Sequence, residues 1–535
     1  MPRPSNAPRK VRRQVTDTTM QIKLGKSHDA DREGKPSPSS ATVDEALTFT
    51  GFGKYNFGLL LVCSWTLQAM GMDLFGTSFV VAAAVCDLEL TMQQRALLTA
   101  MPLVGVVTGA QLWGYVADTK GRRLTLMLSM SVGFVFAALS SFAPDWRSMA
   151  VLKLISSTFT SATNSAAYTL LGESCSERTR GRAMLLCTCA LMCSQAAAAV
   201  FAYPILPLGF SYHIDFLGIE YRPWRLLALV MALPCLATAA LLRLFHESPK
   251  FLASRGRYEE ALQVLKSIYA CNSGDLADNL PVQKLIPEKG NQQVDEQGSF
   301  LRSLWQQTVP LFQAPLLRDT IKLFYLVAVI YMTGSGFILW LPYIMNNLFV
   351  VLESGGGDGM NLCSVLSYST GDSFVNGNDT TIPTCDDTIQ DTTLLSAMAY
   401  GAIASSINLV LSLTCGSRKR LAMMGILGVS GLAAVFLNLV HTPIAGGVFF
   451  FVFLLCALAM GILSVYFVEL YPTSLRGMAS CLSVMLGRSS AFVGVNAIGA
   501  LISINCEATF YVWAILLFSA VAVTWFLPND RAVKK

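Results

Sequence analysis

The sequence predicts an all-α membrane protein of twelve transmembrane helices, built as two pseudo-symmetric halves of six. Three observations carry that expectation: a depletion of charge, twelve long apolar runs, and two motif matches at a single offset. Of 535 residues, 53% are hydrophobic and 14% charged, with a mean hydropathy of +0.51. A soluble protein carries roughly 25% charged residues, so this chain needs a solvent less polar than water. The composition excludes a disordered or collagen-like chain. A formal charge of only +5 gives no reason to expect a nucleic-acid partner.

A helix crossing a bilayer needs about 20 mostly apolar residues. Such runs lie near 56–84, 95–117, 124–143, 148–171, 183–206 and 224–244, then 320–345, 393–415, 420–440, 445–468, 478–503 and 507–527. The fourth and eighth are rich in Ser and Thr. Residues 1–54 are polar, lack a secretory signal, and are expected to form a disordered cytoplasmic tail. Residues 55–244 and 320–527 are then the two six-helix bundles, 245–319 a cytoplasmic linker, and 528–535 a second tail. The linker opens with an amphipathic helix that places Tyr258, Leu262, Leu265 and Ile268 on one face.

Lys and Arg in the connecting segments set orientation, because cytoplasmic loops hold the excess. With both termini cytoplasmic, the inner segments hold 33 of the 39 basic residues and the outer segments five: Arg95, Arg147, Lys153, Arg222 and Arg225. Only Arg488 is left, inside a span. The outer loop 346–392 has no Lys or Arg and carries one glycosylation sequon, at Asn378. Cys363 and Cys385 share its oxidising compartment and are candidates to pair.

The basic ends of the helices carry motifs. Gly114-Tyr-Val-Ala-Asp118-Thr-Lys-Gly121-Arg122-Arg123 follows the second span. Glu173 is followed by Arg180-Gly181 after the fourth, and Glu469 by Arg476-Gly477 after the tenth, 296 positions later. The same offset carries Arg122-Arg123 onto Arg418-Lys419. Two matches at one offset point to duplicated six-span units, as in one class of transporter.

With these residues the chain resembles the major facilitator superfamily over essentially the whole membrane region. The pattern Gly114-x-x-x-Asp118-x-x-Gly121-Arg122-Arg123 is that family's most specific signature, and it is complete. Glu247-Ser-Pro-Lys-Phe-Leu252 and Gly256-Arg-Tyr-Glu-Glu-Ala261 resemble the segment after span six in sugar and organic-ion porters. The acid in span one, Val468-Glu-Leu-Tyr-Pro472 and the enlarged loop after span seven are most similar to the synaptic vesicle glycoprotein 2 and organic-ion-transporter-like branch. In the second half, Thr414 stands where Asp118 stands in the first. The resemblance implies alternating access. Asp118, Arg122, Arg123, Glu173 with Arg180, and Glu469 with Arg476 would form a cytoplasmic gate that closes when the outer side opens, while a purely topological role for these basic residues is the alternative.

A charge at mid-bilayer costs about 2.5–3.5 kcal/mol on insertion scales and faces a cavity or a partner. Asp73, near Thr66, Gly76 and Thr77, and Arg488, on the side of Asn496, meet that criterion. Asp73 would bind a proton or a cation and Arg488 a carboxylate, or the two would pair structurally. By resemblance, spans 1, 4, 7 and 10 line the cavity. The fourth span adds a stripe of Ser157, Ser161, Asn164 and Tyr168, the seventh Tyr331, Ser335 and Trp340, and the tenth Ser464 and Tyr466. Each aromatic could equally be packing.

Enzyme readings fail on inventory. His28, His213, His246 and His441 form no cluster with metal-ligand spacing, and no Walker-type signature is present, so neither metal nor cofactor is expected. The expected function is secondary or facilitative transport of a small polar or ionic organic solute, with or without a coupled proton or cation. The chain is expected to act as a monomer in the lipid bilayer of a plasma or vesicle membrane. The other reading is a non-transporting, transporter-shaped glycoprotein whose outer loop binds partners.

Overall fold

The computed structural model describes residues 40–286, 308–355, 359–371, 388–414, 418–471 and 473–528. Asn378 and Cys385 lie outside them, as do the side chains of Glu469 and Arg476.

The described chain is almost entirely helical. The first half holds α1 (Val43–Thr50), α2 (Lys54–Ala83), α3 (Met92–Lys120), α4 (Arg122–Ser140), α5 (Trp146–Thr160), α6 (Thr163–Glu173), α7 (Glu177–Met192), α8 (Ser194–Ile205) and α9 (Pro223–Leu241). The connecting segment holds α10 (Pro249–Ser254) and α11 (Tyr258–Ser273). The second half holds α12 (Leu317–Glu353), α13 (Leu362–Gly371), α14 (Asp391–Thr414), α15 (Lys419–Leu439), α16 (Pro443–Leu454), α17 (Ala459–Leu470), α18 (Thr473–Ile504) and α19 (Cys506–Trp525).

Among the described residues, ten helices are long and apolar enough to cross a membrane, and α7 with α8, bent by 41° at Cys193, make an eleventh span. The remaining expected span, 148–171, is α5 and α6. It is broken at Ser161–Ala162 and carries Lys153, which dilutes its apolar character. Helix α12 has 37 residues, about 55 Å at 1.5 Å per residue, so it projects well beyond a hydrocarbon core of roughly 30 Å.

Helix starts follow local chemistry. Thr91 and Gln94 form a reciprocal capping box that opens α3. Gly121, at φ +106°, separates α3 from α4 in a backbone conformation that side chains disfavour. The two halves meet where α3 runs along α18 and α8 along α14. Small residues permit the approach: a side chain on Gly401 would meet Ala196, and one on Gly499 would meet Trp340 and Ala96.

The expectation of a disordered segment up to residue 54 requires correction. Residues 40–41 pair in parallel with Lys284–Leu285, and α1 buries Ala46 and Leu47 against Phe251, Leu252, Ala261 and Leu265. The apolar face expected on α11 is the surface they dock on: Leu265 and Ile268 are fully buried, Tyr258 and Leu262 partly so. Asn272 then ties the junction, donating to the Thr50 carbonyl and to Asn56 Oδ1 and accepting from the Tyr55 amide.

The expected Cys363–Cys385 pair is also corrected. Cys363 is bonded to Cys506, joining α13 to the first residue of α19 across 143 residues. A shared outer loop and oxidising compartment point to Cys385, but the fold brings α13 back against the start of the last span.

Candidate functional site

The two charges expected in the membrane interior do not pair with each other. Asp73, on α2 and 5% exposed, is held by α5. Its Oδ1 lies 3.1 Å from Lys153 Nζ, while Ser157 donates to Oδ2 at 2.9 Å, with Ser156 at 3.4 Å and Thr160 at 3.5 Å. Lys153 is only 3% exposed. The sequence reading placed it among the outer topological charges because it sits near a helix end. It is instead turned inward, one helical turn before the Ser157 stripe, and that spacing was the available signal.

Arg488, on α18, has a different environment. It is 7% exposed, its guanidinium carbon lies 5.7 Å from the centre of the Tyr331 ring on α12, and the ring rests on Gly487. Among the described residues it makes no ion pair and no hydrogen bond, and its Nε is buried without an acceptor. A buried cation left this way is costly unless something else supplies the negative charge. Tyr168, on α6, shares a hydrogen bond with Thr188 of α7 at 3.3 Å. One turn before it, Asn164 has a buried, unpartnered Nδ2. Gln111 of α3 reaches Met485, one turn before Arg488. Arg488 and Tyr331 therefore sit beside the packing of α18 on α3, where the two halves meet.

The other expected residues are less available. Asn496 donates to Phe492 of its own helix at 2.8 Å, and Trp340 donates to the Val495 carbonyl at 2.9 Å while packing on Gly499. Tyr466 is 1% exposed. Ser161 breaks the expected stripe, since α5 ends there and its hydroxyl turns back to Thr158.

The motif cluster forms a network within the first half. Arg122 pairs with Asp118 at 3.1 Å and with Glu173 at 3.2 Å, and lies over the Phe251 ring. Arg123 donates to the Leu242 and Arg243 carbonyls. The Glu247 carboxylate accepts from the backbone amides of Arg122 and Arg123, capping α4, where charge and helix dipole agree. The pairing expected between Glu173 and Arg180 is not made. Glu173 takes Arg122 and the Ser248 hydroxyl, and Arg180 takes Asp44 of α1 at 3.1 Å and the Gly172 carbonyl. The change follows from the ordered α1, which brings a carboxylate the sequence reading had left in the tail; Lys250 holds its other side. Gly121 is required here, since a side chain would meet Glu247, whereas Gly114 has open space around it.

Residues 61–495 match the family model described as Major Facilitator Superfamily. The chain is 27% identical to synaptic vesicle glycoprotein 2C of Mus musculus over 321 residues, covering 56% of this chain and 44% of that protein. It is 28% identical to synaptic vesicle glycoprotein 2A of Homo sapiens over 245 residues, covering 46% and 33%. The matched part thus spans less than half the length of these curated relatives. In architecture it resembles the xylose transporter XylE from E. coli in a partially occluded inward-open conformation, with a TM-score of 0.61 over 89% of this chain and 100% of that one. At 15% identity, that likeness shows the fold alone.

Proposed function

Because the chain belongs to the Major Facilitator Superfamily, we propose that it is a secondary or facilitative transporter of a small organic anion, working by alternating access between its two halves. The carrying observation is Arg488, a buried guanidinium at the seam with no carboxylate partner among the described residues. Asp73 adds no net negative charge that would oppose an anion, because Lys153 neutralises it. Tyr331 offers a further polar group beside the same guanidinium. A carboxylate suits a guanidinium, which can bind it through two parallel hydrogen bonds.

The test is uptake of labelled lactate, benzoate and succinate by the reconstituted full chain at two pH values. Hydrogen bonds to a charged group are worth about 1.5–3 kcal/mol, so Arg488→Gln is expected to cut carboxylate uptake roughly tenfold to a hundredfold. Undiminished uptake by that variant, or a parent that carries none of the three, overturns the reading. The pH comparison separates proton-coupled transport from uniport. A second reading draws on the names of the relatives: a vesicle or cell-surface glycoprotein that binds partners through residues 346–392 and carries no solute.

A further inference from the structure

Opposite the motif cluster lies the face expected outside, and the segments assigned to it by sequence carry five Lys or Arg and 13 Asp or Glu. An anionic solute approaching it meets repulsion, so the disposition of those five cations matters. Lys153 is spent on Asp73. Arg222 and Arg225 both pair with Asp87, and Arg222 with Glu220 as well. Arg147 lies exposed over the Trp146 ring in the first turn of α5.

Arg95 is different. It projects from the first turn of α3 in the first half, and its guanidinium carbon lies 4.8 Å from the centre of the Tyr343 ring on α12 in the second half. It has no ion pair or hydrogen bond among the described residues, and its Nε is buried without an acceptor. The next residue, Ala96, touches the neighbourhood of Gly499 on α18 and Trp340 on α12, and Trp340 packs edge-on against Tyr343. Three helices from both halves therefore converge beside a cation that has no ion pair among the described residues.

The arrangement repeats the one at Arg488. Each guanidinium lies over a tyrosine of α12, and Tyr331 and Tyr343 are twelve residues apart on it, about 18 Å along the helix axis. We propose that Arg95, stacked on Tyr343, is a second anion station at the acidic mouth, steering a carboxylate-bearing solute toward Arg488. The inference rests on the anion reading of Arg488 and adds a specificity-determining residue to it. A cation there offsets the local negative field and raises the encounter rate, an effect that falls with ionic strength.

The experiment uses the full chain in vesicles of one orientation, with whichever of lactate, benzoate and succinate the parent carries. It measures kcat/KM from the acidic face at low and high salt. Arg95→Gln is expected to lower kcat/KM about tenfold at low salt and to flatten its salt dependence, the lower end of the range for steered encounters. Arg95→Lys is expected to restore both, and Tyr343→Leu, which removes the stack and keeps the charge, to retain the salt dependence. Arg95→Gln with the parental salt dependence, or failure of Lys to restore, overturns the station while leaving Arg488 in place. Loss of the anion reading shows itself separately, as Arg488→Gln without effect or as a parent that carries no carboxylate.

Discussion

Asp73 and Lys153 place opposite charges where neither meets water, and three hydroxyls of α5 share the carboxylate. Removing one partner of such a pair strands the other charge, at a cost of about 3–5 kcal/mol, whereas removing both is often close to neutral. Lys153→Met and Asp73→Asn are each expected to lower the unfolding midpoint in detergent, and Asp73→Asn/Lys153→Met to recover most of it. Equal loss in the single and double variants would show that the pair does not act as a unit. Charge inside a span was legible in the sequence, and it picked out Asp73 and Arg488. Which cation faced Asp73 was not, because Lys153 lies so near a helix end that topology alone explained it. Asp118 pairs with Arg122 as its motif leads one to expect, but its side chain is 74% exposed and the pair is an i,i+4 contact, a class worth only about 0.3–0.5 kcal/mol.

Elements show the same division between pattern and partner. Long apolar runs reported the spans closely, since twenty apolar residues have few other homes. The short α1 is hard to read from sequence because its buried face is only Val43, Ala46, Leu47 and Thr50, packed against α10 and α11. Isolated helices of that length are marginal in water. The signature glycines separate by structure where the sequence treats them alike. Gly121 holds φ +106° at the α3–α4 junction, and a Cβ there would lie 2.5 Å from Glu247 Oε2, the carboxylate that caps α4. Gly114 is inside α3 with nothing within 4 Å of its missing Cβ. Gly121→Ala is therefore expected to cost about 1–3 kcal/mol, the range for a strained backbone position, and Gly114→Ala to cost nothing, since Ala is the better helix former. Thermal midpoints of the two purified variants check this, and a larger loss at Gly114 would sink it.

At the scale of the molecule, the +5 net charge conceals a strong polarity. By the topology expected from sequence, the inner segments carry 33 of 39 basic residues and the outer segments five against 13 acids. Such a distribution works as an address as well as a surface property. Cytoplasmic loops retain Lys and Arg during insertion, which predicts that α10, α11 and the Arg122 network face inside and the hairpin Tyr212–Ile214/Ile219–Tyr221 outside. Two positions can report this directly. Phe216, at the hairpin tip, is 94% exposed, and Cys271 on α11 is a free, exposed thiol. In intact cells, a membrane-impermeant maleimide should label Phe216→Cys at once, in a background where Cys271 and Cys481, the exposed free thiols among the described residues, and Cys415 are replaced by Ser. Cys271, retained in a chain lacking Cys481, should react only after the membrane is permeabilised. Labelling of Cys271 in intact cells, with Phe216→Cys protected, would invert the chain and turn the Arg95 mouth toward the cytoplasm.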